Sequence, residues 1–125
     1  MPVMPESPVF HIARDFVDDV QIVEISSPSI ADPKVATELK EQLLSLFEPG
    51  KPINFVLDFK YVRTFSSTAF GAVMSFVQEV LRRGGQVRTC NMDEFIRFGA
   101  DVIRLSSYAE YHDDLIGAID SLRSS

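Results

Sequence analysis

Three consecutive hydroxyl side chains, those of Ser66, Ser67 and Thr68, are the residues best placed to do chemistry in this 125-residue chain. They precede an apolar run of helical periodicity, so the simplest interpretation is a helix cap in which a hydroxyl accepts a hydrogen bond from a first-turn amide. In a functional interpretation, a hydroxyl at the same position is a site of modification. A phosphate added there would be stabilised by the helix amides and would change any surface that docks nearby. The residues alone therefore predict a helix start that could act as a switch.

Other reactive side chains lack partners at useful spacing. His11 and His112 have no second histidine or cysteine at a metal-ligand interval, and Cys90 ends a predicted strand, where a buried thiol is typical. The carboxylate pairs at residues 18–19 and 113–114 fall at a turn and at a helix start, where solvation and capping explain them. The chain has no nucleophile elbow and no glycine-rich phosphate loop. We predict no catalytic site, no metal and no cofactor.

Composition narrows the class of protein. The chain is 46% hydrophobic, which suffices for the core of one domain, and its single cysteine suits a reducing compartment. No apolar run approaches the roughly 20 residues that span a bilayer, and the N-terminus lacks the pattern of a signal peptide. The net charge of −6 argues against nucleic-acid binding. We expect a cytoplasmic protein without direct membrane insertion.

The helices and strands that must position the hydroxyl segment are predicted from hydrophobic periodicity and from the residues that begin or end such elements. Residues 1–8 hold three prolines and are predicted to be a flexible tail, and residues 9–125 a single domain. Strands are predicted over residues 9–16, 20–25, 53–59, 86–90 and, as a short edge strand, 107–111. Helices are predicted from 33 or 34 to 47, from the hydroxyl segment to 83, over 93–103 and over 113–122. Strands that alternate with helices indicate an α/β fold with a mostly parallel sheet.

The segment Phe-Val-Leu-Asp-Phe-Lys-Tyr-Val-Arg-Thr-Phe-Ser-Ser-Thr-Ala-Phe-Gly-Ala-Val, at residues 55–73, resembles the core motif of STAS domains, the anti-sigma-factor antagonist family. In that family a strand ending in Leu-Asp-Leu leads to Asp-Ser-Ser-Gly-Leu-Gly. The interval from the motif to the Gly84-Gly85 pair also agrees, and the likeness extends from about residue 31 to the C-terminus. The resemblance implies a mixed, mostly parallel central sheet of four to five strands with about four helices.

Carried over position by position, the resemblance places Ser67 on the family's phosphorylatable serine, as the phosphoacceptor. Ser66 then stands on the preceding aspartate, Thr68 on the second serine and Ala69 on a glycine. Asp32, a predicted cap of the first helix, stands on an aspartate near the partner-binding surface. The resemblance thus implies a partner-binding surface that includes all five residues.

Three positions depart from the family pattern. Ser66 removes a negative charge beside the phosphoacceptor, Ala69 replaces a glycine, and Arg104 stands where the family usually has glycine. The first two bear on whether a particular kinase recognises the site.

The resemblance implies a function that depends on being bound. Such a domain binds an anti-sigma factor that is a serine kinase of the GHKL type. Phosphorylation breaks the complex, and a phosphatase of the PP2C type restores it. A monomer or weak homodimer is expected. Two alternatives stay open: a constitutive scaffold in a stress-signalling or transporter complex, and a small-ligand or nucleotide-binding domain.

Overall fold

A five-stranded mixed sheet forms the centre of the molecule, with strand order β1-β2-β4-β6-β7. The computed structural model describes residues 12–26, 29–30 and 32–123, so the predicted tail 1–8 and His11 lie outside the described residues. The strands are β1 (Ile12–Val17), β2 (Val20–Ile25), β3 (Ser29–Ile30), β4 (Asn54–Asp58), β5 (Thr64–Phe65), β6 (Val87–Cys90) and β7 (Glu110–His112). The helices are α1 (Pro33–Leu44), α2 (Ser67–Arg82), α3 (Glu94–Val102) and α4 (Leu115–Arg123).

The pairing of the central sheet confirms the predicted fold class. β1 and β2 form an antiparallel hairpin around the turn at residues 18–19, whereas the β2–β4, β4–β6 and β6–β7 pairs are all parallel. β4 lies in the middle, and its Phe55, Val56 and Leu57 are fully buried. Burial on both faces explains why this strand shows a continuous apolar run rather than alternation.

The two faces of the sheet carry cores of different size. Helices α1, α2 and α3 bury the larger core against one face, where Phe55 and Phe76 make an edge-to-face ring pair. α4 covers the other face, where Ala118 and Leu122 pack against Val56 and Cys90. The parallel crossovers place the starts of α2 and α3 at the carboxyl edge of the sheet.

Several helices and strands begin or end at residues other than those predicted, because tertiary contacts change their ends. α1 ends at Leu44 rather than 47, because the Leu46 and Phe47 amides bond to carbonyls only three residues back. These tight turns place the Phe47 ring against those of Phe55 and Phe76. Residues 105–107 form a 3₁₀ turn, so the edge strand begins at Glu110 instead of 107. Two large apolar side chains of the helices are on the surface: Leu81 of α2 is 38% and Ile116 of α4 is 72% exposed.

Candidate functional site

Two helix starts are joined by a short parallel pair of strands that the sequence did not predict. β3 and β5 lie in segments expected to be loops, and they pair Ser29 with Thr64 and Ile30 with Phe65. The Ser29 and Thr64 hydroxyl oxygens lie 2.7 Å apart, and the Ser66 amide donates a hydrogen bond of 2.9 Å to the Ile30 carbonyl. Each strand leads directly into a helix, α1 or α2. The β3–β5 pair therefore holds the two helix starts side by side.

Ser66 is the residue that caps α2. Its backbone is extended (φ −76°, ψ 165°), and its hydroxyl oxygen accepts a hydrogen bond of 3.1 Å from the Ala69 amide. Its carbonyl accepts the Phe70 amide at 2.9 Å, which is the first helical hydrogen bond. The simple interpretation of the hydroxyl segment, a helix cap, therefore applies to Ser66.

Ser67 occupies the first helical position and is exposed. Its hydroxyl makes no hydrogen bond to any residue that the structure describes. Thr68 follows it, also exposed, and lines a groove between α1 and α2 whose wall includes Lys40 and Gly71. Of the three hydroxyl groups, the Ser67 hydroxyl is thus one that can be modified without loss of the cap.

Asp32 is the N-cap of the neighbouring helix α1, the position that Ser66 holds in α2. It follows Ile30 by two residues, as Ser67 follows the paired Phe65. Its carboxylate accepts a hydrogen bond of 2.8 Å from the Lys34 amide and caps α1. The predicted site residues are therefore placed at one edge: Asp32 at the start of α1, and Ser66 to Ala69 at the start of α2.

A polar cluster behind the site supports the loop that leads into it. Asp58 ends β4 with 1% of its surface exposed, and one carboxylate oxygen accepts hydrogen bonds of 3.0 Å from the Lys60 amide and the Asn91 side chain. The Lys60 ammonium lies 3.2 Å from Glu24, and this hydrogen-bonded partner raises the Lys60 pKa. This cluster was not predicted from the sequence. The Leu-Asp sequence at the end of the central strand is the feature from which the cluster could have been predicted.

The comparisons with known proteins identify the family. A model of the STAS domain family matches residues 11–114 of the chain. The chain belongs to the STAS domain family. A search of curated protein sequences finds no match.

Within the described residues, no three histidine, cysteine or acidic side chains could together hold a metal ion. None of the described helices is both long enough and apolar enough to cross a membrane.

Several solved structures share the fold of this chain at low sequence identity. An anti-sigma factor antagonist from Mycobacterium paratuberculosis superposes with a TM-score of 0.79 at 16% identity, over 96% of this chain and 99% of that one. The phosphorylated form of the Bacillus cell fate determinant SpoIIAA gives 0.67 at 14% identity, over 91% and 99%. The murine anion transporter Slc26a9 gives 0.72 at 12% identity, over 89% of this chain and 19% of the transporter.

The three departures from the STAS pattern have distinct structural settings. Ser66 performs the capping that an aspartate can perform, without its charge, since the two residue types are about equally good N-caps. Ala69 lies in the first turn of α2 and is fully buried in the core. Arg104 adopts a left-handed backbone (φ 58°, ψ 41°), the conformation that glycine takes at least cost.

Proposed function

We propose that this STAS protein is an anti-sigma-factor antagonist that binds a GHKL-type anti-sigma kinase and is switched by phosphorylation of Ser67. The observation that carries the proposal is that two neighbouring serines have different roles. Ser66 makes the capping hydrogen bond, and Ser67 presents an exposed hydroxyl without a partner among the described residues. The partner-binding surface would comprise Asp32 and the start of α2. In this proposal the protein is a binding module rather than an enzyme.

The proposed switch is electrostatic. A phosphoserine carries about −1.5 to −2 charges at pH 7 and is tolerated at the first turn of a helix, where the amide dipoles point toward it. The partner would then have to bury that dianion beside the Asp32 carboxylate, at a cost in desolvation and repulsion. We therefore expect phosphorylation to release the partner while the fold stays intact.

The test is phosphate transfer from radiolabelled ATP by each GHKL-type kinase of the source organism. We expect one kinase to label the wild-type protein, Ser67→Ala to abolish the label, and Thr68→Val to retain it, because Thr68 is the matched exposed neighbour. Ser67→Asp should also weaken binding of that kinase in a pull-down. Full labelling of Ser67→Ala would remove Ser67 as the phosphoacceptor.

A constitutive scaffold is the second candidate function. The neutral Ser66 supports it, because an acidic residue beside the phosphoacceptor is missing, and so does the fold likeness to a domain of an anion transporter. Affinity purification of the tagged protein separates the two proposals. Recovery of a transporter or of a large stress-signalling particle supports the scaffold, and recovery of a small kinase supports the switch.

A further inference from the structure

Two exposed hydroxyl side chains meet on the outer side of the β3–β5 pair. The hydroxyls of Ser29 and Thr64 are hydrogen-bonded at 2.7 Å, although the two residues lie 35 positions apart in the sequence. On the inner side of the pair, Ile30 is fully buried and Phe65 is 9% exposed. The inner side chains attach the pair to the core, so the outer hydroxyl contact is not required for burial.

The two ends of the proposed partner-binding surface are not bonded to each other directly. The Asp32 carboxylate accepts its hydrogen bond from the Lys34 amide, within its own helix. The Ser67 hydroxyl bonds to none of the described residues. Asp32 follows Ile30 by two residues, and Ser67 follows Phe65 by two. The spacing between Asp32 and Ser67 therefore depends on how β3 is aligned with β5.

Few contacts fix that alignment, because each strand is only two residues long. A slip of one residue would move one helix start by about 3.3 Å relative to the other and turn Ile30 away from the core. The bond from the Ser66 amide to the Ile30 carbonyl opposes such a slip from the backbone. Among the described residues of the two strands, the Ser29–Thr64 bond is the hydrogen bond that side chains make across the pair.

We propose that Ser29 and Thr64 are positioning residues, whose hydroxyl bond sets the spacing between Asp32 and Ser67 that the partner recognises. The inference rests on the proposed function, because it requires a partner that contacts both of those residues. Neither hydroxyl has to touch that partner. A surface that is already arranged for binding loses less conformational freedom when the partner docks, so removal of the bond weakens binding.

The spacing can be measured without a partner. Spin labels on Lys34→Cys and Thr68→Cys, two exposed positions at the helix starts, report the distance between α1 and α2 by dipolar electron spin resonance. Cys90 is fully buried, so the label reacts with the introduced cysteines. Thr64→Val and Ser29→Ala should each broaden the distance distribution. Thr64→Ser keeps a hydroxyl and should retain the wild-type width.

Thr37→Val is the matched control for the distance measurement. The Thr37 hydroxyl bonds to the Pro33 carbonyl at 3.1 Å, within α1, so this variant loses a hydroxyl bond that does not connect the two helices. It should leave the distance distribution as in the wild type. The double variant Ser29→Ala with Thr64→Val should be no broader than either single variant, because both substitutions remove the same bond.

The kinetics of phosphate transfer test the effect on the partner. With the kinase that labels Ser67, Thr64→Val should raise the KM for this protein about threefold to tenfold and leave kcat unchanged, because the bond affects docking rather than phosphoryl transfer. In an Asp32→Asn background the same substitution should change KM by less than about twofold, because the partner then loses its contact with one helix start. A general loss of stability would not depend on Asp32 in this way.

Unchanged distance distributions in Thr64→Val and Ser29→Ala overturn the proposal, and so does a broadened distribution with an unchanged KM. An equal rise in KM with and without the Asp32 carboxylate also contradicts it, because the effect would then not concern the spacing of the two residues. If no kinase labels the protein, the proposed function is wrong, whereas labelling of Ser67 with an unaltered KM removes only the positioning role.

Discussion

Neighbouring hydroxyl groups at the start of α2 have different tasks. The Ser66 oxygen is engaged by the Ala69 amide, and the Ser67 oxygen faces solvent. Serine and aspartate cap helices about equally well, so replacing the family's aspartate keeps the helix start and removes only the charge. At this position the structural role and the electrostatic role of a residue can therefore be measured separately.

Ser66 substitutions should separate those roles. Ser66→Ala should lower the free energy of unfolding by about 1 kcal/mol, because the Ala69 amide loses its acceptor. Ser66→Asp should keep the stability within about 0.5 kcal/mol of the wild type, since it restores an acceptor at the N-cap. Urea denaturation followed by circular dichroism measures both values. A Ser66→Ala protein as stable as the wild type would show that this hydrogen bond contributes nothing.

The sequence could predict a cap in this segment but not which hydroxyl makes it. Serine has the same capping propensity at 66 and at 67, so local preference cannot choose between them. The choice depends on the Ser66 amide, which is held by the Ile30 carbonyl of a strand distant in sequence. The predicted role of Ser67 as a phosphoacceptor stays a prediction.

At the scale of elements, two glycines show how differently helices use the same residue. Gly71 lies in α2, where an added methyl group would meet nothing within 4 Å. Gly99 lies in α3, where the methyl carbon would fall 2.5 Å from the Phe70 ring. Phe70 cannot easily retreat because its ring packs edge-on against Phe65, with centroids 4.9 Å apart. Gly99 therefore sets how closely α3 approaches α2.

Alanine at these two positions should have opposite effects on stability. Gly71→Ala should raise the free energy of unfolding by about 0.5–1 kcal/mol, because it restricts the unfolded chain and improves helix propensity. Gly99→Ala should lower it by about 1 kcal/mol, because overpacking against Phe70 outweighs the same propensity gain. Thermal and urea unfolding of both variants provide the comparison. Stabilisation by Gly99→Ala would mean that α3 shifts freely against α2.

The order and type of the long elements could be predicted because their signals are local. Asp32 before Pro33 marks the start of α1, and the apolar run at β4 marks a strand buried on both faces. The β3–β5 pair could not be predicted, because two residues carry no periodicity and their pairing partners lie 35 residues apart. Leu81 borders the buried stripe of α2 near the end of the helix, where it is 38% exposed although it is apolar.

On the scale of the whole molecule, burial protects two weakly acidic groups from ionisation. Burial, reinforced by the Asp58 and Asp114 carboxylates, raises the pKa of the Cys90 thiol from 9.0 to about 12. Burial and the nearby Asp101 carboxylate raise the pKa of Tyr111 from 10.0 to about 12. Both groups therefore favour folding while they are protonated, and the unfolded chain releases their protons first.

Stability should fall on the alkaline side for this reason. A group with a raised folded-state pKa contributes its full stabilisation below its unfolded pKa, so the loss begins near pH 9 and continues toward about pH 12. Urea midpoints measured at about pH 8 and about pH 10.5 should differ more for the wild type than for Cys90→Val with Tyr111→Phe. Equal losses in the two proteins would contradict the assignment to these groups.

The β3–β5 pair also determines the surface that a binding partner contacts at this edge of the sheet. Two residues of strand connect the approach to α1 with the approach to α2, and the bond from the Ser66 amide to the Ile30 carbonyl continues that connection to the cap. Separating the two helix starts requires breaking all of these contacts together. A protein that binds the start of α2 therefore also contacts or displaces the start of α1. A force applied to either helix is transmitted to the other through these contacts.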